Sequence, residues 1–438
     1  MPKTIEGFSR LSKTEKIDWL SKTFLSGIPN ASETLANYWN PDPAVQQLHD
    51  EFIENTVTNY YLPLGIAPNF VINDKTYALP MAIEESSVLA AASNTAKFWM
   101  SRGGFKAEVL GTEKIGQVHF TFNGDPEDLT LFFEGIKNKM IKAAKPITSN
   151  MESRGGGILD IKLKNKTKLL NDYYQLYCTF ETLDAMGANF INSCLEQFAE
   201  TLQEEFTKYG DFKKTGIRLE VIMSILSNYV PGCIVKASVS CPVEKLKDKN
   251  IPDPQLFAQK FEQAVAIAQV EPYRAVTHNK GVMNGIDAVI LATGNDFRAV
   301  EAGIHAYASR KGGYKSLTKV EIKDDQFTFS IKIPLAVGTV GGLTQLHPLV
   351  KLNLQLLDNP SAEELMQIVA VAGLAQNFGA IKSLTTTGIQ QGHMKMHLMN
   401  MLNQLGANTG EKEQAIVHFK NNKVTHSTVE GFVKRLRK

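Results

Sequence analysis

Four titratable side chains stand among glycines and small residues, a setting in which charge is more useful for chemistry than for packing. Lys280 lies in Arg274-Ala-Val-Thr-His-Asn-Lys280-Gly-Val-Met-Asn284. An ammonium partly withdrawn from water at that position polarises a carbonyl or forms a Schiff base, although a lysine snorkelling to the surface fits the same residues. Glu84-Glu85 precedes the small apolar run Ser87-Val-Leu-Ala-Ala-Ala-Ser. Packing against such a run makes a carboxyl a proton donor by raising its pKa, while acids in a first helical turn also serve simply as dipole partners. Asp296 follows the apolar run 288–291, which reads as a strand, and heads a helical pattern, so it too has a plain helix-end reading. His393 sits in Gly388-Ile-Gln-Gln-Gly-His393-Met-Lys-Met-His397. Met394 stands where HExxH carries its glutamate, so no metal is expected, and a histidine behind a glycine turn suits a general acid.

A nucleotide site has to be sought elsewhere. No G-x-G-x-x-G follows a strand and opens a helix, and no GxxxxGK[ST] occurs, which removes the dinucleotide and P-loop fingerprints. Asp184-Ala-Met-Gly-Ala-Asn189 comes after a strand pattern and opens a long helix. Small residues there, Met186-Gly187-Ala188 between Asp184 and Asn189, let a phosphate reach free helix N–H groups; an Asp-capped helix with a tight turn is the plainer reading.

The elements that must position these residues change character along the chain. The first hundred residues read as helices, with a capping box at Ser12-Lys-Thr-Glu15 and a proline start at Pro43. From 115 the periods run strand 115–122, helix 126–144, strands 158–164 and 173–181, helix 187–209 and strand 217–225, the β-α-β-β-α-β order of a ferredoxin-like unit. Helices are expected at 255–270, at 296–310 and from the Ser361 capping box to 375, and a hairpin about Asp324-Asp325. The chain has 438 residues, 43% hydrophobic and 21% charged, with 47 basic against 45 acidic residues. That excludes long disorder and gives no global field for nucleic acid. No apolar stretch reaches the roughly 18–20 residues of a membrane span, and the start lacks a secretory pattern, so a cytoplasmic location is expected. Cys178, Cys194, Cys233 and Cys241 contain no CxxC pair and are expected to be free.

Taken together, Pro80-Met-Ala-Ile-Glu-Glu85-Ser-Ser-Val, Asp184-Ala-Met-Gly-Ala-Asn189, Glu271-Pro-Tyr-Arg-Ala-Val-Thr-His-Asn-Lys280-Gly, Gly294-Asn-Asp296-Phe-Arg-Ala-Val-Glu-Ala-Gly303 and Gly388-Ile-Gln-Gln-Gly-His393-Met occur in one order. In these motifs the chain resembles the hydroxymethylglutaryl-CoA (HMG-CoA) reductases, soluble bacterial class II. The resemblance implies an α+β fold: a helix-rich discontinuous large domain (residues 1–110 and 227–387), an inserted ferredoxin-like NAD(P)-binding domain (111–226) and a C-terminal helical flap (388–438). It implies reduction of HMG-CoA to mevalonate and CoA by two hydrides, with Lys280 as oxyanion stabiliser, Asp296 as the carboxylate beside it, Glu85 as proton donor and His393 as the acid for the CoA thiolate. Ser87, Arg274 and Asn284 match substrate-side positions, and Asp184, Met186, Gly187, Ala188 and Asn189 the cofactor motif. The family builds its site across a homodimer, the glutamate and the cofactor domain coming from different subunits, and higher oligomers stay open. NADPH is expected, with NADH as the other possibility, because no acid precedes the glycine run until Glu152, and Ser149, Asn150 and Arg154 lie near. The same motifs serve mevalonate oxidation with NAD and CoA, and a non-catalytic acyl-CoA-binding relative is the remaining alternative.

Overall fold

The computed structural model describes residues 3–213, 216–386, 388, 398–420, 422 and 424–437. It divides at Pro63 into two compact units, so the first break falls inside the 1–110 segment. In the first unit, α1 (Lys13–Thr23) begins at the expected capping box: Ser12 accepts from the Glu15 N–H, and the Glu15 carboxylate accepts from the Ser12 N–H at 2.8 Å. α2 (Ala31–Ala36) and α3 (Pro43–Asp50) follow, and Lys13 joins α1 to α3 through Asp50 at 2.8 Å.

The second unit opens with strands, which corrects the all-helical reading of the first hundred residues. β1 (Leu64–Ile72) and β2 (Lys75–Ala82) form a hairpin in which Ile72 faces Lys75. Its two turn residues, Asn73 and Asp74, have φ of 48° and 70°, the left-handed pair that a two-residue hairpin needs. α4 (Val88–Met100) then packs on β1, burying Val88, Ala92, Ala96 and Trp99. β3 (Lys106–Thr112) leads into the inserted unit.

There β4 (Lys114–Phe122), α5 (Pro126–Ala143), α6 (Lys145–Glu152), β5 (Gly157–Asn165), β6 (Tyr173–Glu181), α7 (Ala188–Lys208) and β7 (Leu219–Leu226) form a sheet of order β5-β6-β4-β7, antiparallel throughout. That is the order and polarity of a split βαβ unit. The short α6 was not read from sequence. Val118, Phe120, Leu176, Phe180, Leu195 and Phe198 make this unit's own core.

β8 (Cys233–Pro242), α8 (Pro254–Val270), α9 (Pro272–Ala292), α10 (Phe297–Ala308), β9 (Thr318–Lys323) and β10 (Gln326–Pro334) return the chain to the larger core, with sheet order β3-β8-β10-β9. Beyond the short α11 (Leu343–Leu346) and α12 (Pro348–Leu356), α13 (Ala362–Thr385) starts at the Ser361 capping box and outruns its expected end by ten residues. Among the described residues it alone is long and apolar enough to cross a membrane, yet 78% of its most apolar window is buried inside the protein. A core helix has that character. All four cysteines are free and buried. Helices Thr409–His418 and His426–Leu436 build a separate small cluster on Leu402, Ala415 and Val429.

Candidate active site

Lys280 owes its position to α9. Glu271 caps that helix by accepting from the Arg274 N–H at 2.7 Å, and Pro272 fits its first turn. The helix runs unbroken to Ala292, so the apolar run 288–291 is helical rather than a strand. A short apolar run has no period of its own, and length decides in favour of the buried helix. Ala275, His278, Val282, Gly285, Ile286 and Val289 face the core, while Lys280 and, one turn on, the half-buried Asn284 face outward. The Lys280 Nζ donates to Glu85 Oε2 at 2.5 Å, with side chains 59% and 38% exposed. The ammonium is therefore paired but not withdrawn from water in one chain, contrary to the partly buried expectation.

Glu85 stands in the turn between β2 and α4, three residues before the helix begins, so Glu84 and Glu85 do not open α4 as read from sequence. That turn ends at Ser87, which has φ 72°, a left-handed conformation that few residues other than glycine adopt. Arg274 is half-buried in the first turn of α9, and burial lowers its pKa. Six residues place it about 120° around the helix from Lys280. His393 lies outside the described residues.

Asp296 is elsewhere. It caps α10, accepting from the N–H groups of Arg298 at 3.0 Å and Ala299 at 3.2 Å, and pairs with the Arg298 side chain at 3.2 Å. Burial alone would raise its carboxyl, but the Arg298 side chain and those N–H groups outweigh it and hold the pKa below the ordinary value. No hydrogen bond joins Asp296 to Lys280 among the described residues. The reason is length: twelve residues of α9 beyond Lys280 span about 18 Å.

Asp296 instead shares a cavity with the Asp184–Asn189 segment. The cavity, about 140 Å³, is lined by Lys114, Met186, Ala188, Asn228, Asp296 and Gly303 among others. Its motif wall is a turn between β6 and α7. Gly187 takes φ 86° as the N-cap of α7, and neither a capping side chain nor a first-turn acid occupies the helix's N–H groups. Those groups fit a dinucleotide phosphate. Asp184 Oδ1 accepts from the Ala362 N–H at 2.7 Å at the head of α13, and its carbonyl accepts from the Thr339 N–H at 2.8 Å. Asn189 is exposed at the start of α7.

Sequence reasoning missed the residues behind this wall. Asn295 donates to the Gly338 carbonyl at 3.0 Å and accepts from its N–H at 2.8 Å. A Cβ at Gly338 would lie 2.4 Å from the Met186 nitrogen, so only glycine lets the two segments meet. The Lys114 signal was present: counting by twos, Lys114 is in phase with the buried Val118, Phe120 and Phe122.

A second overlooked pair is Asp287, two turns beyond Lys280 on α9, with Glu301 on α10. Burial, then the hydrogen bond and charge of Glu301, push the Asp287 carboxyl up to about 8. Between the unfolded value near ~3.9 and that raised value, the folded protein keeps a proton that the unfolded chain has released, so stability falls as pH rises through this window. Asp287→Asn should flatten that slope. From pH 5 to pH 8 the parent should lose about 1–2 kcal/mol that the variant retains, discounted for partial exposure and measured by urea denaturation at both pH values.

The family model for hydroxymethylglutaryl-coenzyme A reductase matches residues 14–398. A 3-hydroxy-3-methylglutaryl-coenzyme A reductase of Archaeoglobus fulgidus is 35% identical over 440 residues, covering 100% of this chain and 95% of its own. A probable reductase of the same name from Borreliella burgdorferi is 36% identical over 364 residues, 82% of this chain and 80% of its own. Among solved structures, the reductase of Streptococcus pneumoniae superposes with a TM-score of 0.72 at 33% identity, over 99% of this chain and 100% of that one. The class II enzyme of that organism bound to NADPH in open conformations gives 0.71 at 34%, over 87% and 99%.

Proposed function

The chain belongs to the hydroxymethylglutaryl-coenzyme A reductase family of NAD(P)H-dependent oxidoreductases, and from that premise we propose that it reduces HMG-CoA to mevalonate and CoA with two NADPH. The observation that carries the reading is the division of the candidate residues into two sets. One set is the exposed Lys280–Glu85 ion pair, with Asn284 one turn further along α9; the other is Asp296 with Met186 and Ala188, which line the cavity.

Each set has a task in thioester reduction. NADPH supplies the hydrides when bound, and two protons are taken up per mevalonate formed. Every hydride arriving at a carbonyl leaves an oxyanion, which an ammonium with a neighbouring acid can stabilise and then protonate. Lys280 and Glu85, already in contact, suit those roles. Arg274 and Ser87 are proposed on the substrate side, and His393 as the acid that meets the CoA thiolate. The free N–H groups of α7 take a phosphate of the cofactor.

α9 carries the chain about 18 Å beyond Lys280 before Asp296 is reached, which keeps the two from meeting within one copy. We therefore place the Asp296 that serves a given Lys280 on a second copy, which makes a homodimer the working unit. For cofactor choice, the acid nearest the glycine run, Glu152, is paired with Lys145 and bonded to Thr148, while Arg154 is exposed close by. This favours NADPH. Adding HMG-CoA should start NADPH oxidation at two NADPH per mevalonate, with kcat/KM for NADPH at least about tenfold above that for NADH. No HMG-CoA-dependent oxidation of either cofactor would overturn the proposal, and an NADH preference would overturn the cofactor assignment.

A further inference from the structure

Lys114 is a lysine without a carboxylate partner in a nearly closed place. It is 4% exposed at the first position of β4. Its Nζ donates to Thr182 Oγ1 at 2.5 Å and to the Ala185 carbonyl at 3.2 Å, and Thr182 Oγ1 donates to that same carbonyl at 2.7 Å. Among the described residues it makes no ion pair. Burying an ammonium on neutral oxygens, with no charged partner, is costly to folding. Both belong to the turn that carries the dinucleotide motif.

Inside the small domain that turn is also held by the Leu183 N–H, which donates to Glu181 Oε1 at 2.8 Å. Leu183 stands at φ 51°, left-handed although not glycine, and the Ala185 N–H returns to the Thr182 carbonyl at 3.0 Å. Thr182 also fills the space beside Gly187, where a Cβ would lie 2.5 Å from the threonine methyl. The ammonium therefore sits behind the segment that leads into the free N–H groups of α7, and it lines the cavity those groups share with Asp296. Of its three N–H donors, two are engaged by the turn.

We propose that Lys114 is a positioning residue for the cofactor: its ammonium holds the Thr182–Ala185 turn so that the N-terminus of α7 is set to receive the dinucleotide phosphate. This rests on the assignment of the Asp184–Asn189 turn to NADPH. Burial lowers the pKa of Lys114, and the Cys233 thiol with the carboxylates of Glu181 and Asp184 works against that fall. Glu181 ends β6 just before that turn and Asp184 lies within it, so the lysine's charge also offsets theirs where a phosphate must approach.

The test is direct binding, with no turnover needed. NADPH fluorescence is titrated with the full-length protein, and HMG-CoA affinity is measured separately by calorimetry. Lys114→Met should weaken NADPH about tenfold and leave HMG-CoA affinity within about twofold. Thr182→Val, which keeps the ammonium but removes one of its two acceptors, should act in the same direction, and the double variant should lose less than the two changes summed. If Lys114→Met fails to fold, Thr182→Val carries the same criterion. Unchanged NADPH affinity in a folded variant, or an equal loss for HMG-CoA, overturns the inference. A parent protein that binds no NADPH overturns instead the assignment of the turn on which the inference rests.

Discussion

Replacing Lys280 with alanine should lower kcat by at least about a thousandfold while leaving the fold and NADPH binding intact, as read by single-turnover assay, circular dichroism and fluorescence titration. The fold should survive because the Lys280–Glu85 pair is largely exposed, and such pairs contribute about 0–1 kcal/mol to stability. The chemistry should not survive, because no other ammonium lies in the described hydrogen-bonding environment of Glu85. Asp296→Asn should be similarly inactive. Mixing the two inactive proteins under subunit exchange should then restore about a quarter of the parent activity: half the dimers are mixed, and one of their two sites has both native residues. No recovery would place Lys280 and Asp296 in the service of a single copy, and full activity of Lys280→Ala would remove the mechanism.

The parts of this arrangement legible in the sequence are those with strong local grammar. The capping boxes at Ser12 and Ser361 were readable three residues at a time, and the β-α-β-β-α-β alternation from 115 to 225 carried both periods clearly. The β1–β2 hairpin was hidden because Pro68 and Pro80 interrupt its strands; its one clear mark was Asn73-Asp74 between Val71-Ile72 and Thr76-Tyr77. The far end of α9 was hidden because a helix buried on all sides shows no amphipathic stripe. In the candidate site the residue types were legible and their grouping was not. Lys280 and Asp296 are sixteen positions apart in the chain, and nothing in their spacing says that a straight helix holds them apart. Asn295, Gly338 and Lys114 act through backbone atoms distant in sequence, which no local pattern records.

The second large effect is expected at Gly285, where α9 crosses α13. A Cβ on Gly285 would lie 2.3 Å from the Ala372 carbonyl oxygen and 2.6 Å from its carbon, and both are backbone atoms of a buried helix. The contact is reciprocal, since a Cβ on Gly373 would meet Ile286 at 2.8 Å. Neither helix can yield by turning a side chain, so Gly285→Val must separate the two axes and open the larger core at this crossing. We expect a loss of about 3 kcal/mol or more, seen as a lower denaturation midpoint. Because Lys280 rides on the same helix, kcat should fall together with stability. Gly135 supplies the control. It lies inside α5, where a Cβ meets nothing within 4 Å, so Gly135→Ala should stabilise by up to about 1 kcal/mol through the unfolded chain and helix propensity. A Gly285→Val protein as stable as its parent would mean that the two helices are not held at this crossing, and α9 would then lose its claim to set the place of Lys280.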